Sequence, residues 1–451
     1  MKQVCVIALG CPKNIVDSEH IVSDFAATGR YELTDNQTTA DVVVVNTCAF
    51  IGSAREEAIE AILGAAETMR PEAKLVVAGC MAQMYGEIIR EEIPRVDYVF
   101  GTGTYDDIIS AVEGEDSGVY SDPHVHVGDI FAKDGPVDLN DLSYLNRENI
   151  HSTGFYAYLK IADGCNNACS YCVIPSLKGR YRSRKYEDVM AEAHRLAANG
   201  VKEIILVAQD TTRYGLDLYH KRRLAELMED ISRIPGIEWI RVLYTYPEQI
   251  GDDLIAVLRD NPKVCKYLDI PIQHINDRIL KDMRRRGDST LIKSVLTKLR
   301  DQVPGIILRT SLIAGYPTET EEEISELIQF VSEGWFDRLG AFAYSREEGT
   351  PAGEMRGQIR SRTKEARARR IMRAQHKVVC AKNKSRVGKT YRTITEGVSE
   401  DGIFYYGRTY GEAPDIDDYV YFVSPEPLEA GDMVDVYIQT YREYELIGEV
   451  R

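Results

Sequence analysis

The sequence lacks any apolar run of the roughly 18 residues that a membrane-spanning helix requires. Its N-terminal stretch also turns polar too quickly for the apolar core of a secretion signal. From these two absences we expect a cytoplasmic protein that has no membrane partner. The chain contains 9 cysteines, and in a reducing compartment these are expected to be thiols or metal ligands and not disulfides.

The chain also has fewer basic than acidic residues. The 55 lysines and arginines are outnumbered by 71 aspartates and glutamates, which leaves a net charge of −16. A protein that binds nucleic acid through its phosphates usually carries a basic excess. The charge balance therefore argues against nucleic acid as the substrate and favours a basic partner.

The first part of the chain alternates Val- and Ile-rich runs with amphipathic helical stretches, which predicts an open parallel α/β sheet domain over residues 1–118. Its predicted strands are Lys2–Leu9, Asp41–Asn46 and Lys74–Ala78. Residues 119–150 hold Gly, Asp, Pro and Asn without periodicity, and we expect a linker there. A length of 451 residues leaves room for one or two further domains.

The alternation returns over residues 151–382, where six β/α units predict a partial (β/α)6 barrel that ends in a long basic helix. Its predicted strands are Tyr156–Ile161, Glu203–Ala208, Trp239–Tyr244, Lys266–Ile270, Ile307–Ile313 and Leu339–Ala343. Residues 383–451 carry short strands rich in Tyr, Val and Ile. They predict a small five-stranded OB-like β-barrel.

Three cysteines, Cys165, Cys169 and Cys172, follow the first predicted barrel strand in C-x3-C-x2-C spacing. Three thiolates in one loop can bind three irons of a four-iron, four-sulfur (4Fe-4S) cluster and leave the fourth iron open. An open iron can chelate S-adenosylmethionine, whose sulfonium C–S bond one electron can then break to release a deoxyadenosyl radical. The alternatives are three unrelated thiols or a zinc site, although structural zinc normally takes four ligands in paired spacings.

A second set of cysteines, Cys11, Cys48 and Cys80, is scattered in sequence, but each residue follows one of the predicted N-terminal strands. The carboxyl ends of parallel strands lie along one edge of a sheet, where ligands bind. We therefore expect these thiols to converge and to hold a second cluster. The alternative is that they are small apolar residues buried at strand ends.

Longer motifs carry a resemblance to a known family. They are residues 8–19 (ALGCPKNIVDSE), 207–215 (VAQDTTRYG) and 407–417 (GRTYGEAPDID). On these residues the chain resembles the methylthiotransferases of the radical-SAM superfamily over essentially its whole length, with their order of cluster domain, radical-SAM barrel and TRAM domain. The motifs are similar to the branch that modifies a ribosomal protein. The branch that modifies transfer RNA usually reads Gly-Cys-Gln-Met-Asn around the first cluster cysteine.

Two loops depart from the family pattern. The chain has Lys178-Gly179 where the family often has Arg-Gly, and residues 315–320 read GYPTET where the family often has Gly-Phe-Pro-Gly-Glu-Thr. Both departures fall near the expected cofactor, and neither removes a cluster cysteine.

The resemblance implies that the protein adds a methylthio group to the β-carbon of an aspartate in small-subunit ribosomal protein twelve. It implies two 4Fe-4S clusters, S-adenosylmethionine and a low-potential electron donor. One S-adenosylmethionine gives its methyl group to sulfur at the N-terminal cluster, and a second is split at the barrel cluster. The backbone around Tyr171 is expected to pair with adenine.

Polar residues at the predicted barrel rim are further candidates for cofactor binding. Gln209 and Asp210 follow the second barrel strand, and Gln273 and His274 follow the fourth. Arg309 lies in the fifth strand and could pair with a carboxylate. The alternative is a polar rim that contacts only water.

Charge patterns in the last third of the chain bear on the substrate. Glu412, Asp415, Asp417 and Asp418 form an acidic group in the TRAM region, which fits a basic ribosomal protein or is merely a solvated face. The basic helix Ser361–Lys384 contacts ribosomal RNA or, as we prefer, pairs with the acidic body as a strut. Two other functions remain open: methylthiolation of adenosine in transfer RNA, and a non-catalytic iron–sulfur electron carrier.

Overall fold

The computed structural model of the chain describes residues 1–115, 122–128, 130, 142, 147 and 154–451. These residues form two open parallel sheets followed by a closed β-barrel, which confirms the predicted α/β fold class. Most of the predicted linker at 119–150 lies outside the described residues. Among the described helices, none combines the length and the apolar character needed to cross a membrane.

The N-terminal sheet has six parallel strands: β1 Lys2–Ala8, β2 Tyr31–Leu33, β3 Val42–Thr47, β4 Lys74–Gly79, β5 Tyr98–Phe100 and β6 Val125–His126. Its helices are α1 Pro12–Ala27, α2 Gly52–Thr68, α3 Cys80–Glu92 and α4 Ile108–Val112, with a 3₁₀ turn at Tyr105–Asp107. The strand order is β2-β1-β3-β4-β5-β6. Every residue of β3 is buried, as expected for a strand covered on both faces of a parallel sheet.

The predicted strands correspond to β1, β3 and β4, and their ends differ by at most one residue. The sequence did not indicate β2, β5 or β6, because strands of two or three residues are too short to show a period. Strand β6 lies inside the predicted linker and pairs with β5, so that part of the chain completes the sheet.

The central region is a second parallel sheet of six strands: β7 Tyr156–Lys160, β10 Glu203–Val207, β11 Trp239–Val242, β12 Val264–Asp269, β13 Ile307–Ala314 and β14 Arg338–Ala343. A short antiparallel pair, β8 Ala162–Asp163 and β9 Arg182–Ser183, follows the first of them. The order β14-β13-β12-β11-β10-β7 keeps the strands in sequence without closing the sheet. This is the predicted partial barrel.

Helices cover the outside of the central sheet. They are α5 Ile174–Lys178, α6 Tyr186–Ala198, α7 Leu216–Tyr219, α8 Leu224–Ser232, α9 Asp252–Asp260, α10 Asp277–Asp282, α11 Ser289–Gln302, α12 Glu321–Ser332, α13 Pro351–Glu354 and α14 Ser361–Arg386, with 3₁₀ turns at Thr211–Arg213 and Pro247–Gln249. Their buried Leu, Ile and Val side chains pack on the strands to form the largest core.

The C-terminal barrel is closed by five strands: β15 Thr390–Val398, β16 Tyr405–Thr409, β17 Val420–Val423, β18 Met433–Arg442 and β19 Glu445–Val450. It is fixed to the central sheet by buried ion pairs. Arg408 of β16 and Arg241 of β11 both bind Glu203 of β10, at 2.8 and 2.7 Å. Because removing one partner of such a group leaves a buried charge unpaired, the pairs specify one docking position.

The acidic loop after β16 is turned inward. Glu412 accepts hydrogen bonds from Arg338 and Arg386 at 2.7 and 2.5 Å. Asp415 and Asp417 accept hydrogen bonds from tyrosine hydroxyls of the central strands. The loop therefore joins two domains. The expectations of a surface for a basic partner and of a solvated face are both wrong for Glu412 and for the covered side chain of Asp417, whereas Asp415 is exposed.

The basic helix α14 is the predicted strut. Arg367 binds Glu319 at 2.8 Å, and Lys382 binds Asp337 at 2.8 Å. Both carboxylates belong to the central domain, so cations of the helix are used to attach it to the barrel.

Candidate active site at two cysteine trios

The N-terminal trio, Cys11, Cys48 and Cys80, lies where the neighbouring strands β1, β3 and β4 end. Cys11 is the N-cap of α1, and its carbonyl accepts hydrogen bonds from the N–H groups of Asn14 and Ile15 at 2.8 and 3.1 Å. Cys80 is the first residue of α3. The topology thus brings three free thiols to one sheet edge, as the sequence predicted.

Glycines and asparagines give this edge its shape. A Cβ on Gly10 would lie 2.6 Å from the Cβ of Cys48, and a Cβ on Gly79 would lie 2.4 Å from Oδ1 of Asn46. Asn14 Nδ2 donates to the Asn46 carbonyl at 3.1 Å, and Asn46 Nδ2 donates back to the Asn14 carbonyl at 3.2 Å. This buried pair ties α1 to β3. Sequence reasoning missed it because the partners lie far apart in the chain.

Burial governs the ionisation of the N-terminal trio. It raises the pKa of Cys80 to about 12, although Lys178 acts in the opposite direction. Burial also raises the pKa of Cys48. Cys11 and Cys48 both add to the shift of Cys80, so the three groups are close enough to interact. Because metal-binding thiols must lose their protons, this trio needs a bound cation to become three thiolates.

The barrel trio, Cys165, Cys169 and Cys172, lies in the loop between β8 and α5. The Asn167 N–H donates to Cys165 Sγ at 3.4 Å, while Asn167 Nδ2 donates to Asp210 Oδ2 at 3.0 Å. Burial raises the pKa of Cys165 to about 11 and that of Cys172 to about 12. Like the first trio, this one requires a cation to hold it deprotonated.

Neither trio has the spacing of a single metal ion. Two thiolates on one zinc ion, each about 2.3 Å from the metal, cannot be more than about 4.6 Å apart. Within the described residues, His20, Asp24 and Asp106 form the one group of three potential ligands whose donor atoms all lie within 4.8 Å of one another. Three thiols in each trio match the three protein ligands of a 4Fe-4S cluster with an open iron, whereas structural zinc normally takes four ligands.

A buried ionic network joins the two trios. Asp17 of α1 binds Lys160 at 2.7 Å and Lys178 at 2.9 Å. Lys160 also binds Asp163 at 3.1 Å, two residues before the barrel trio. Burial would raise the pKa of Asp163, but Lys160 and Lys178 hold it far below its ordinary value. Lys178, one of the departures from the family pattern, is thus a shared partner of both domains.

A second contact crosses the same junction. The ammonium of Lys13 lies 3.3 Å from the centroid of the Tyr244 ring, just after β11. Tyr244 has a positive φ of 61°, and its N–H donates to Asp269 Oδ2 at 3.0 Å. Burial would lower the pKa of Lys13, but Tyr244, Cys11 and Asp269 outweigh that effect and raise it. The lysine therefore stays charged at the junction.

The polar residues after β10 are held by the protein itself. Gln209 Nε2 donates to Asp163 Oδ1 at 2.9 Å. The two carboxylate oxygens of Asp210 accept from Asn167 Nδ2 at 3.0 Å and from Thr212 Oγ1 at 2.6 Å. Both predicted cofactor residues therefore stand beside the barrel trio, where they brace its loop.

The other residues predicted at the barrel rim differ in the hydrogen bonds that they make within the protein. Arg309 Nη1 donates to Asp269 Oδ1 at 2.9 Å, so the carboxylate expected for it is internal. Gln273 is half-buried and has a positive φ of 69°, a strained backbone of the kind that occurs at functional sites. His274 Nδ1 accepts from the Asn276 N–H at 3.0 Å and so supports the turn.

Tyr171 is half-buried and packs on Tyr316 and its neighbours. Beside it, Arg285 Nη1 lies 3.8 Å from Cys169 Sγ, and the guanidinium lies 4.4 Å from the centroid of the Tyr246 ring. Sequence reasoning treated Arg285 as part of an ambiguous basic run. Its neighbours in that run are exposed, and no local pattern distinguishes it from them.

Three families of known domains match the chain in the order of its domains. Residues 3–101 match the uncharacterized protein family UPF0004, residues 159–331 match the Radical SAM superfamily, and residues 387–450 match the TRAM domain. Among solved structures, TsrM of Kitasatospora setae, a radical S-adenosylmethionine methyltransferase, has a TM-score of 0.58. It is 16% identical, with 78% of this chain and 74% of that chain covered. This similarity concerns the fold alone.

Curated relatives match over the full length. A protein of Acetivibrio thermocellus named ribosomal protein uS12 methylthiotransferase RimO is 51% identical, with 100% of this chain and 98% of the relative covered. A protein of Trichlorobacter lovleyi with the same name is 46% identical, again with 100% of this chain and 98% of the relative covered. The chain therefore belongs to the radical-SAM methylthiotransferase family whose curated members are named RimO.

Proposed function

We propose that this radical-SAM methylthiotransferase adds a methylthio group to the β-carbon of an aspartate in ribosomal protein uS12. The relatives that match the whole chain carry that substrate in their names. The target carbon is neither acidic nor nucleophilic, so acid–base and covalent polar catalysis have little effect on it. A cofactor-derived radical is the chemistry that such a carbon requires.

The proposed enzyme uses S-adenosylmethionine and two 4Fe-4S clusters. The N-terminal trio, Cys11, Cys48 and Cys80, would hold one cluster, and the barrel trio, Cys165, Cys169 and Cys172, would hold the other. Cys165, Cys169 and Cys172 would hold the cluster at which S-adenosylmethionine would be cleaved, and this chemistry would supply a deoxyadenosyl radical for hydrogen abstraction at the target carbon. A cluster held by the N-terminal trio would provide the site at which sulfur receives a methyl group from another S-adenosylmethionine. A low-potential electron donor completes the system.

The surrounding residues of the chain would hold these groups in place. Asn167 and Asp210 brace the barrel loop, and the half-buried ring of Tyr171 stands next to it. Asp17 and Lys160 connect the sheet edge to the barrel mouth and fix the distance between the trios. Gln209 and Gln273 remain candidates for contact with S-adenosylmethionine, whereas Arg309 would act through Asp269.

The observation that carries this proposal is that both trios border one domain junction. The Lys178 ammonium binds Asp17 at 2.9 Å and lies 3.8 Å from Asp163, two residues before Cys165. It also opposes the rise that burial causes in the pKa of Cys80. A group bound at one trio would therefore face a group bound at the other. That arrangement suits the transfer of sulfur to a substrate radical.

The variant Cys48→Ala tests the proposal. After reconstitution without oxygen, we expect it to form deoxyadenosine from S-adenosylmethionine and dithionite but to leave uS12 unmodified. Mass spectrometry of uS12 from cells with and without the gene identifies the modified aspartate. Cys380→Ala, on the half-buried face of α14, is the matched control and should modify uS12 normally.

Methylthio addition by the Cys48→Ala enzyme would contradict the role given to the N-terminal trio. An unchanged uS12 together with a missing methylthio group on transfer-RNA adenosine would assign the enzyme to the other substrate. A protein that forms no deoxyadenosine under these conditions would be an electron carrier.

A further inference from the structure

The cations at the domain junctions fall into two groups. Buried Lys160, Lys178, Arg241, Arg338 and Arg408 each have a carboxylate oxygen at 2.7–2.9 Å. Such pairing is the rule, because a charge removed from water needs a counter-charge. Lys13, which is half-buried, is different, since no carboxylate oxygen of the described residues lies within 4.0 Å of its ammonium.

The surroundings of Lys13 explain how it remains in place. Its ammonium lies over the Tyr244 ring at 3.3 Å from the centroid, a cation–π contact that leaves the other donors of the ammonium available. Asp269, on the neighbouring strand β12, already accepts hydrogen bonds from the Tyr244 N–H and from Arg309. The protein thus provides a held cation and keeps its own carboxylate for other partners.

The position of Lys13 places its ammonium at the edge of the barrel. It follows Cys11 by two residues at the start of α1, and Tyr244 follows β11 at the carboxyl edge of the barrel. In a β/α barrel that edge is where substrates bind. Only Thr245 separates Tyr244 from Tyr246, whose ring lies against Arg285 beside the barrel trio. Lys13 therefore links the sheet edge that carries Cys11 to the rim of the barrel at Tyr244.

We propose that Lys13 is a substrate-binding residue whose ammonium binds the side-chain carboxylate of the target aspartate. The inference rests on the proposed function and adds the residue that recognises the target. A carboxylate bound there would place the adjacent β-carbon at the junction of the two trios. The target aspartate would supply the counter-charge that Lys13 lacks, and a neutral side chain at that position would gain nothing from it.

The test compares two substrates within each enzyme. Purified uS12 of the same organism is offered with its target aspartate and with that residue changed to asparagine, and KM is measured for hydrogen abstraction, read as deoxyadenosine formed above the substrate-free rate. The native enzyme should prefer the aspartate substrate by about 10- to 100-fold, the range expected for one charged hydrogen bond. Lys13→Met should lose that preference, while Lys13→Arg should keep most of it.

The ratio of two KM values within one preparation does not depend on how much of the enzyme carries its clusters, so partial loss of iron in Lys13→Met cannot mimic the effect. Binding of both uS12 forms measured by calorimetry gives a second readout without turnover. Lys384→Met, which removes one exposed charge from α14, is the matched control and should keep the native preference.

The possible failures are distinguishable. If the native enzyme leaves uS12 unmodified, the proposed function is wrong, and the inference falls with it. If the native enzyme modifies uS12 and Lys13→Met still prefers aspartate as strongly as the native enzyme does, the inference alone is overturned. A shift in the reduction potential of the N-terminal cluster without loss of the preference would also overturn it, since Lys13 would then serve only as a counter-ion to the cluster.

Discussion

The two cysteine trios are built in opposite ways. The barrel trio comes from one stretch of eight residues, 165–172, and its loop is braced by contacts that begin two residues away, such as the Asn167 N–H on Cys165. The N-terminal trio is assembled from three separate strand ends by the sheet topology. A site formed by one loop keeps its geometry when the surrounding fold changes slightly. A site formed by several strands keeps its geometry only if every strand that carries a ligand stays in place.

The largest difference should appear when one cysteine is removed from each trio. Cys169→Ala should abolish deoxyadenosine formation, by about 100-fold or more, because changes outside the ligand shell alone often cost 10- to 100-fold at metal sites. Cys48→Ala should keep that reaction. Chromatographic assay of deoxyadenosine, with Cys380→Ala as control, checks both. Equal loss in the two variants would mean that the trios do not act separately.

The next largest effect concerns the network that connects the trios. Asp17→Asn removes the carboxylate shared by Lys160 and Lys178 and leaves the two buried ammoniums with Asp163 as their one remaining carboxylate, which should cost about 3–5 kcal/mol of stability. Thermal unfolding of the iron-free protein measures this. Asp260→Asn, in an exposed ion pair, is the control and should leave the midpoint unchanged. An unchanged midpoint in Asp17→Asn would show that the network does not fix the junction.

A smaller change should affect the assembled trio alone. Gly79 has a φ of +94°, and an alanine there would place its Cβ 2.4 Å from Oδ1 of Asn46. The backbone strain costs about 1–3 kcal/mol, and the clash must push β3 from β4 next to two cluster cysteines. We expect Gly79→Ala to bind iron poorly at the N-terminal trio and normally at the barrel trio.

The variant Gly114→Ala shows whether Gly79→Ala loses iron because of the steric clash with Asn46 or because of the strained backbone conformation. Gly114 has a similar φ of +85°, but no atom lies within 4 Å of a Cβ built there. Iron content and the electron paramagnetic resonance signals of the reconstituted protein are the readouts. If Gly114→Ala lost as much iron as Gly79→Ala, general destabilisation and not the shape of the sheet edge would be the cause.

The same contrast explains what the sequence could predict. The barrel trio follows from spacing alone, and the N-terminal trio follows from the rule that parallel strands end at one edge. The alternation of strands and helices predicted both sheets, and the short β6 was missed because two residues show no period. These features are local, or follow from a rule that connects local features.

The contacts between domains could not be predicted in this way. Asp17 and Lys178 are separated by 161 residues, and nothing near either of them indicates the pairing. The acidic loop around Glu412 looked like a surface because the sequence does not show that Arg338 and Arg386 approach it. Lys13 was visible only as part of a motif, and its lack of a carboxylate partner is a property of the assembled junction.

The central claim is that the chain carries two separate cluster sites. Iron analysis of the protein reconstituted without oxygen tests it most directly, alongside Cys48→Ala and Cys169→Ala. The account predicts about eight irons per native chain and about four in each variant, with a different resonance signal retained in each. About four irons in the native protein, or loss of all iron from either variant, would contradict it.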